Sequence, residues 1–154
     1  MAGIDTEEVV GVLNRLLEAE LAGVVRYTHY SFLVFGYSRI PIISWLREQA
    51  DESLTHAHKV GEWITNLGAY PSLGIGPLLD VPKSDVGVIL RDSLEVEGAA
   101  QALYKQLLVL VEGRHIALEE FAREMILTEE MHACAVDKML RLPGEVASFT
   151  SRPA

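Results

Sequence analysis

Glu20, His56, Glu97 and the pair Glu129 and His132 stand near the midpoints of four long segments with helical periodicity, each on the face that should be buried. A buried charge is costly unless it is paired or binds a metal. One inward carboxylate or histidine, taken alone, reads as a packing or helix-end residue. Several at one depth read as a dinuclear metal site, because three buried glutamates without a cation would leave uncompensated charge. Glu129 and His132 are three residues apart, so on a helix both side chains converge on one point. Carboxylate oxygens with imidazole nitrogens suit Fe, Mn or Zn rather than thiolate-bound copper.

A rotation of about 100° per residue separates inward from outward side chains. Glu20 falls in a stripe with Leu13, Leu16, Val24 and Tyr27, while Glu18 points away. His56 falls with Trp45, Val60, Trp63 and Leu67. Glu97 falls with Val86, Leu90, Tyr104 and Val111, and Glu95 faces out. Glu129 and His132 fall with Leu118, Met125, Val136 and Met139, and Glu130 faces out. His29, His58 and His115 lie off these stripes and are expected at the surface or at interfaces. Cys134 lies on the outer side of its helix without a histidine in its turn, so it does not read as a nucleophile. Gly74-x-Gly76-Pro77 lacks the strand and helix that a phosphate loop needs.

The elements that must position these residues are four helices. Asp5 opens the first, with Glu8 three residues on as a capping-box partner, and the pattern runs to about Phe35 before Gly36. Pro41 suits a first helical turn, and the second helix reads from there to Leu67, with Gly68 as its C-cap. Residues 68–83 are rich in Gly and Pro and have no period, so they form a connection. Ser84 is expected to cap a third helix that ends near Glu112. A fourth runs from Arg114 to about Arg141, before Pro143-Gly144. The bundle thus spans residues 1–142, and the tail 143–154 is assigned no structure.

Loop lengths set the topology. Helices of roughly 28 residues are roughly 42 Å long. The first and third connections are short and require antiparallel neighbours. The second could extend to roughly 50 Å, enough to return along a whole helix. The expected fold is an all-α, up-down-down-up four-helix bundle with one long crossover.

Composition narrows the partners. The chain has 154 residues, 49% of them hydrophobic, enough for one domain with a proper core. A net charge of −9 argues against nucleic acid and favours cations. No stretch reaches the roughly 18 apolar residues of a membrane span, and Met1 to Asp5 does not read as a secretory leader. The single Cys134 excludes an internal disulfide and a Cys-based zinc site, so a reducing cytoplasm is expected. Tyr27 to Leu46 is apolar on more than one side, through Tyr30, Phe32, Val34, Phe35, Ile40 and Ile43. One stripe suffices for a bundle, so the excess suggests a homodimer or larger homo-oligomer.

One Glu from each of two helices, with a Glu-x-x-His from each of the others, is a dinuclear carboxylate pattern. Here the chain resembles the ferritin-like superfamily, and bacterioferritins in particular. The resemblance runs from about Leu13 to Leu140, through Glu20-Leu21 to Tyr27, His56-Ala57, Glu97 with Tyr104, and Glu129-Glu130-Met131-His132. It implies that Glu20, His56, Glu97, Glu129 and His132 bind two irons, with Tyr27 beside them, and that Fe(II) is oxidised by O2 or H2O2. In this reading Glu20, His56 and Glu52 serve one iron, Glu97 and His132 the other, and Glu129 bridges.

Three features depart from that pattern. Ser53 occupies the place of the second helix's glutamate. Glu52, four residues before His56, could reach the metal instead; otherwise water or an anion fills the position. Leu54 occupies the place of the family's haem-ligating Met, so haem held in that way is not expected. The stretch after helix four is about a dozen residues, which leaves the family's fifth helix, its cage and bulk storage open. The other readings are a diiron peroxidase or oxygenase without storage, and a helical interaction protein with a vestigial site.

Overall fold

The computed structural model describes residues 3–78 and 85–150. They form α1 (Thr6–Ser31), α2 (Arg39–Asn66), α3 (Val86–Val111) and α4 (Ile116–Leu140), and no strands occur among the described residues. Local chemistry explains most of the ends. The Asp5 carboxylate accepts the backbone N–H of Glu8 at 3.1 Å and caps α1. Asp85 does the same for α3 through Val88 at 2.9 Å. The expected cap, Ser84, lies outside the described residues. His115 is not simply a surface residue, since its Nδ1 accepts Leu118 N–H at 3.2 Å and caps α4. Gly68, at φ 81°, closes α2 in a conformation that side chains with a Cβ resist. α1 stops at Ser31, short of the expected Phe35, and α2 starts at Arg39, two residues before Pro41.

Contacts fix the helix directions. Glu20 meets His56, and Tyr27 meets Trp45, so α1 and α2 are antiparallel. Tyr27 meets Glu97 and Tyr104 meets Glu20, so α1 and α3 are antiparallel. His56 meets Glu129 and Lys59 meets Glu124, so α2 and α4 are antiparallel. The bundle is therefore up-down-down-up, the topology that the long second connection permits. The crossover lies along α1: Ser72 N–H donates to Asn14 at 2.7 Å, Gly76 N–H to the Glu18 carbonyl at 2.8 Å, and Arg26 to the Pro77 carbonyl at 3.1 Å. Gly76 is needed there, because a Cβ would press on the Glu18 carbonyl and Ala19.

The core has two apolar ends. Val9, Val12, Leu13, Leu16, Ile64 and Leu118 belong to one cluster. Tyr27, Tyr30, Val34, Leu46, Ala50 and Ile89 form the other. Leu→Ala at such positions typically costs about 2–5 kcal/mol. Met139, expected inside, is instead 38% exposed, although Val136 one turn before it is fully buried. The tail is not structureless. Asp137, buried on α4, accepts from Ser148 Oγ and from the backbone N–H groups of Phe149 and Thr150, and Arg141 also donates to it. No described helix is long and apolar enough to cross a membrane.

Candidate metal centre

Between the apolar clusters lies a polar layer built by all four helices. Glu20 from α1, His56 from α2, Glu97 from α3 and Glu129 from α4 are each more than nine-tenths buried. His56 Nδ1 lies 3.5 Å from Glu20 Oε1 and 3.4 Å from Glu129 Oε1. His132 Nδ1 lies 3.2 Å from Glu97 Oε1. Ligand atoms of Glu20, His56 and Glu129 fall within 4.8 Å of one another, and so do those of Glu97, Glu129 and His132. Glu129 is common to both groups, so one carboxylate stands between two half-sites.

Two tyrosines hold outer carboxylates. Tyr27 Oη donates to Glu97 Oε1 at 2.6 Å, and Tyr104 Oη donates to Glu20 Oε1 at 2.9 Å. Burial, helped by the adjacent carboxylates, pushes both phenols well above their ordinary range, so they remain donors.

Proton distribution follows from burial and neighbours. Burial alone would lower His56, but Glu129 and Glu20 outweigh it and raise the imidazolium to about 10. Burial likewise opposes the charge on His132, and Glu97 overrides it upward. Burial and two nearby carboxylates, Glu97 and Glu20, push Glu129 far above the usual carboxylate range, against the contact with His56. Burial would also raise Glu97, but hydrogen bonds from His132, Glu129 and Tyr27 hold it low. The Glu97–Glu129 pair thus shares a proton that resides on Glu129. Without a cation, the layer neutralises itself with protons.

The donor set fits a metal. Glu129 Oε2, on the carboxylate common to both groups, is buried without a hydrogen-bond partner. Such orphans are uncommon inside proteins and call for a ligand or ordered water. Oxygen and imidazole donors suit Fe, Mn or Zn.

Ser53 explains the departure on α2. A Cβ on Gly23 would lie 2.8 Å from Ser53 Oγ, so position 53 sits where α2 packs closely on α1. A short side chain fits that approach. Glu52 is turned to the other edge of His56, with Oε1 3.6 Å from Nε2 and its side chain 43% exposed. It therefore stands between the buried layer and solvent.

Of the remaining histidines, His29 and His58 are exposed. Cys134 is free and exposed. Leu54 is partly exposed, as an outer-face residue should be. Two residues with no ligand signature in sequence also belong to the layer's surroundings. The Trp45 ring lies 6.0 Å from that of His132 and 6.3 Å from that of Tyr27. Gln49 is buried, seven residues before His56, and that spacing was the available signal.

A family model described as a ferritin-like domain matches residues 10–143. No curated protein matches the sequence. Among solved structures, a ferritin-like, diiron-carboxylate protein from Bacillus anthracis strain Ames superimposes with a TM-score of 0.83. It is 23% identical, and the alignment covers 92% of this chain and 100% of that one. A dodecameric thioferritin from Bacteroides fragilis, described as bacterioferritin-related, gives 0.81 at 21% identity, covering 89% of this chain and 86% of the other.

Proposed function

The chain belongs to the ferritin-like domain family, and from that premise we propose that it binds two Fe(II) ions within its four-helix layer and oxidises them with O2 or H2O2. The observation that supports this reading most is the position of Glu129, shared by two groups of potential ligands. Glu20 and His56 would hold one ion, Glu97 and His132 the other, with Glu129 between. Glu52 lies outside both groups, against Nε2 of His56, and would join the first set only by swinging to the Nδ1 side.

Each residue has a defined task in that scheme. Glu129, His56 and His132 must give up protons as Fe(II) enters, so charge is exchanged rather than accumulated. Tyr27 and Tyr104 stay protonated and fix the carboxylates they touch. Each Fe(II) loses one electron, and two such electrons with two protons reduce one O2 to H2O2. Glu52, at the exposed edge of His56, offers a carboxylate for incoming cations. The net charge of −9 raises their local concentration.

The reading extends to assembly and place. Phe32, Phe35, Tyr37 and Ile40 are exposed around the α1–α2 turn, an apolar patch suited to contact between copies. The Bacteroides fragilis neighbour is dodecameric, and a dimer is the minimum unit proposed here. A free, exposed Cys134 suits a reducing cytoplasm.

The test is anaerobic Fe(II) titration followed by O2. Wild-type protein should bind two Fe(II) per chain and convert them to Fe(III). Glu129→Ala should lose most of both. Unchanged stoichiometry and rate in that variant would falsify the shared-carboxylate assignment.

A further inference from the structure

Besides Glu129 Oε2, two further buried polar atoms near the layer face no partner among the described residues: His132 Nε2 and Gln49 Oε1. Gln49 is 7% exposed, so its amide oxygen is cut off from bulk water. A buried donor or acceptor left unpaired bears its full desolvation penalty. Two such orphans in one region can satisfy each other.

Helix register puts the two residues at one level of the bundle. Gln49 and His56 are seven residues apart, close to two full turns, so both side chains leave α2 in nearly the same direction, toward the bundle interior. Along the antiparallel α1–α2 pair, Gly23 faces Ser53. Carried one turn further, the same register sets Tyr27 level with Gln49. The Tyr27 ring lies 6.4 Å from that of His132. On α2 itself, Trp45 and Glu52 flank Gln49 on either side. The Trp45 ring packs beside His132, and the Glu52 charge also acts on that imidazole. Gln49 therefore sits between two α2 residues that both reach His132, level with a third from α1.

The geometry points to Gln49 as a positioning residue for His132: its Oε1 accepts the Nε2–H of His132 through one buried water. A histidine that binds metal by one nitrogen needs an acceptor for the N–H of the other, which fixes ring orientation and tautomer. His132 turns Nδ1 toward Glu97, so a metal held on Nδ1 leaves the ring hydrogen on Nε2. A water with two polar partners in a closed site is ordinary protein structure. The inference rests on the function proposed above, in which Nδ1 of His132 holds the metal.

The experiment uses the full chain and Zn(II), which is spectroscopically silent and stays in one valence. Zn(II) affinity is measured by chelator competition for wild type, Gln49→Leu, Gln49→Glu and His132→Ala. In parallel, the His132 Nε2–H proton is followed by NMR on 15N-histidine-labelled protein, metal-free and Zn(II)-loaded. Gln49→Leu should weaken Zn(II) binding about 10- to 100-fold and speed exchange of the Nε2–H proton. Gln49→Glu, which keeps an acceptor, should restore both. Should Gln49→Leu fail to fold, Gln49→Asn draws the acceptor back by one methylene and should show the same losses. Wild-type affinity and an unshifted Nε2–H signal in Gln49→Leu or Gln49→Asn, with His132→Ala still weakened, overturn the role of Gln49. If His132→Ala binds Zn(II) as wild type does, the proposed metal function fails instead, and with it the reason for an acceptor at Nε2.

Discussion

Tyr27 on α1 donates to Glu97 on α3 at 2.6 Å, although the two are 70 residues apart in sequence. The converse pair, Tyr104 on α3 and Glu20 on α1, is joined at 2.9 Å. In both helices the tyrosine follows the glutamate by seven residues. Seven residues is nearly two turns, so each pair shares one face. Antiparallel packing then exchanges partners, and each helix orients the other's carboxylate.

Removing one of these donors should leave a buried carboxylate oxygen short of a partner. Tyr27→Phe and Tyr104→Phe should each cost about 1–3 kcal/mol in the metal-free protein. Urea unfolding at fixed pH measures this. Midpoints equal to wild type for both variants would show that the hydroxyls do not support the layer.

Glu129→Gln separates folding from binding. Glu129 already carries a proton in the metal-free layer, so the amide is close to isosteric and iso-charged with it. Thermal stability without metal should stay near wild type, while Zn(II) or Fe(II) binding falls at both half-sites. A large loss of metal-free stability would mean that Glu129 is ionised there.

Metal binding should depend on pH with a definite sign. His56, His132 and Glu129 all have raised pKa values and hold protons near neutrality, whereas Glu97 is lowered and already ionised. A metal must displace the protons of the first three, so apparent affinity should rise with pH toward the raised values. Calorimetric Zn(II) titration in buffers of different ionisation heat should report proton release. A heat independent of buffer contradicts this.

Glu52→Gln tests the exposed edge of the site. Glu52 lies 3.6 Å from His56 Nε2 and is accessible to solvent. The variant should bind less metal at the His56 side and slow its uptake, with oligomer mass unchanged by light scattering. A changed mass with unchanged metal stoichiometry would move Glu52 from the site to a subunit contact.

Asp137→Ala should release the tail. Burial opposes the Asp137 charge, but Arg141 and the backbone N–H groups of Thr150 and Phe149 outweigh it and hold its pKa at about 2. The stabilisation is present above the ordinary aspartate range and is lost as pH falls through about 2. Hydrogen exchange of residues 145–150 at neutral pH should be slow in wild type and fast in the variant. Equal protection would show that the tail is held by other contacts.

Much of this was legible in the sequence because helices convert spacing into direction. The 3.6-residue period set Glu20, His56, Glu97, Glu129 and His132 on inward faces, and Asp5 and Gly68 marked ends through their own backbone chemistry. The length of the crossover permitted parallel α2 and α3, since a short loop cannot return along a bundle, and the contacts across the bundle decided it. Tertiary structure alone decided what needs two helices at once. It set Ser53 against Gly23 and left Glu52 at the rim of the site. It paired Tyr27 with Glu97 rather than with the glutamate of its own helix. It also folded the tail onto Asp137, which in sequence is one acidic residue among 22. Period gives the azimuth of a side chain on its own helix, but height, tilt and the identity of the facing residue come only from packing.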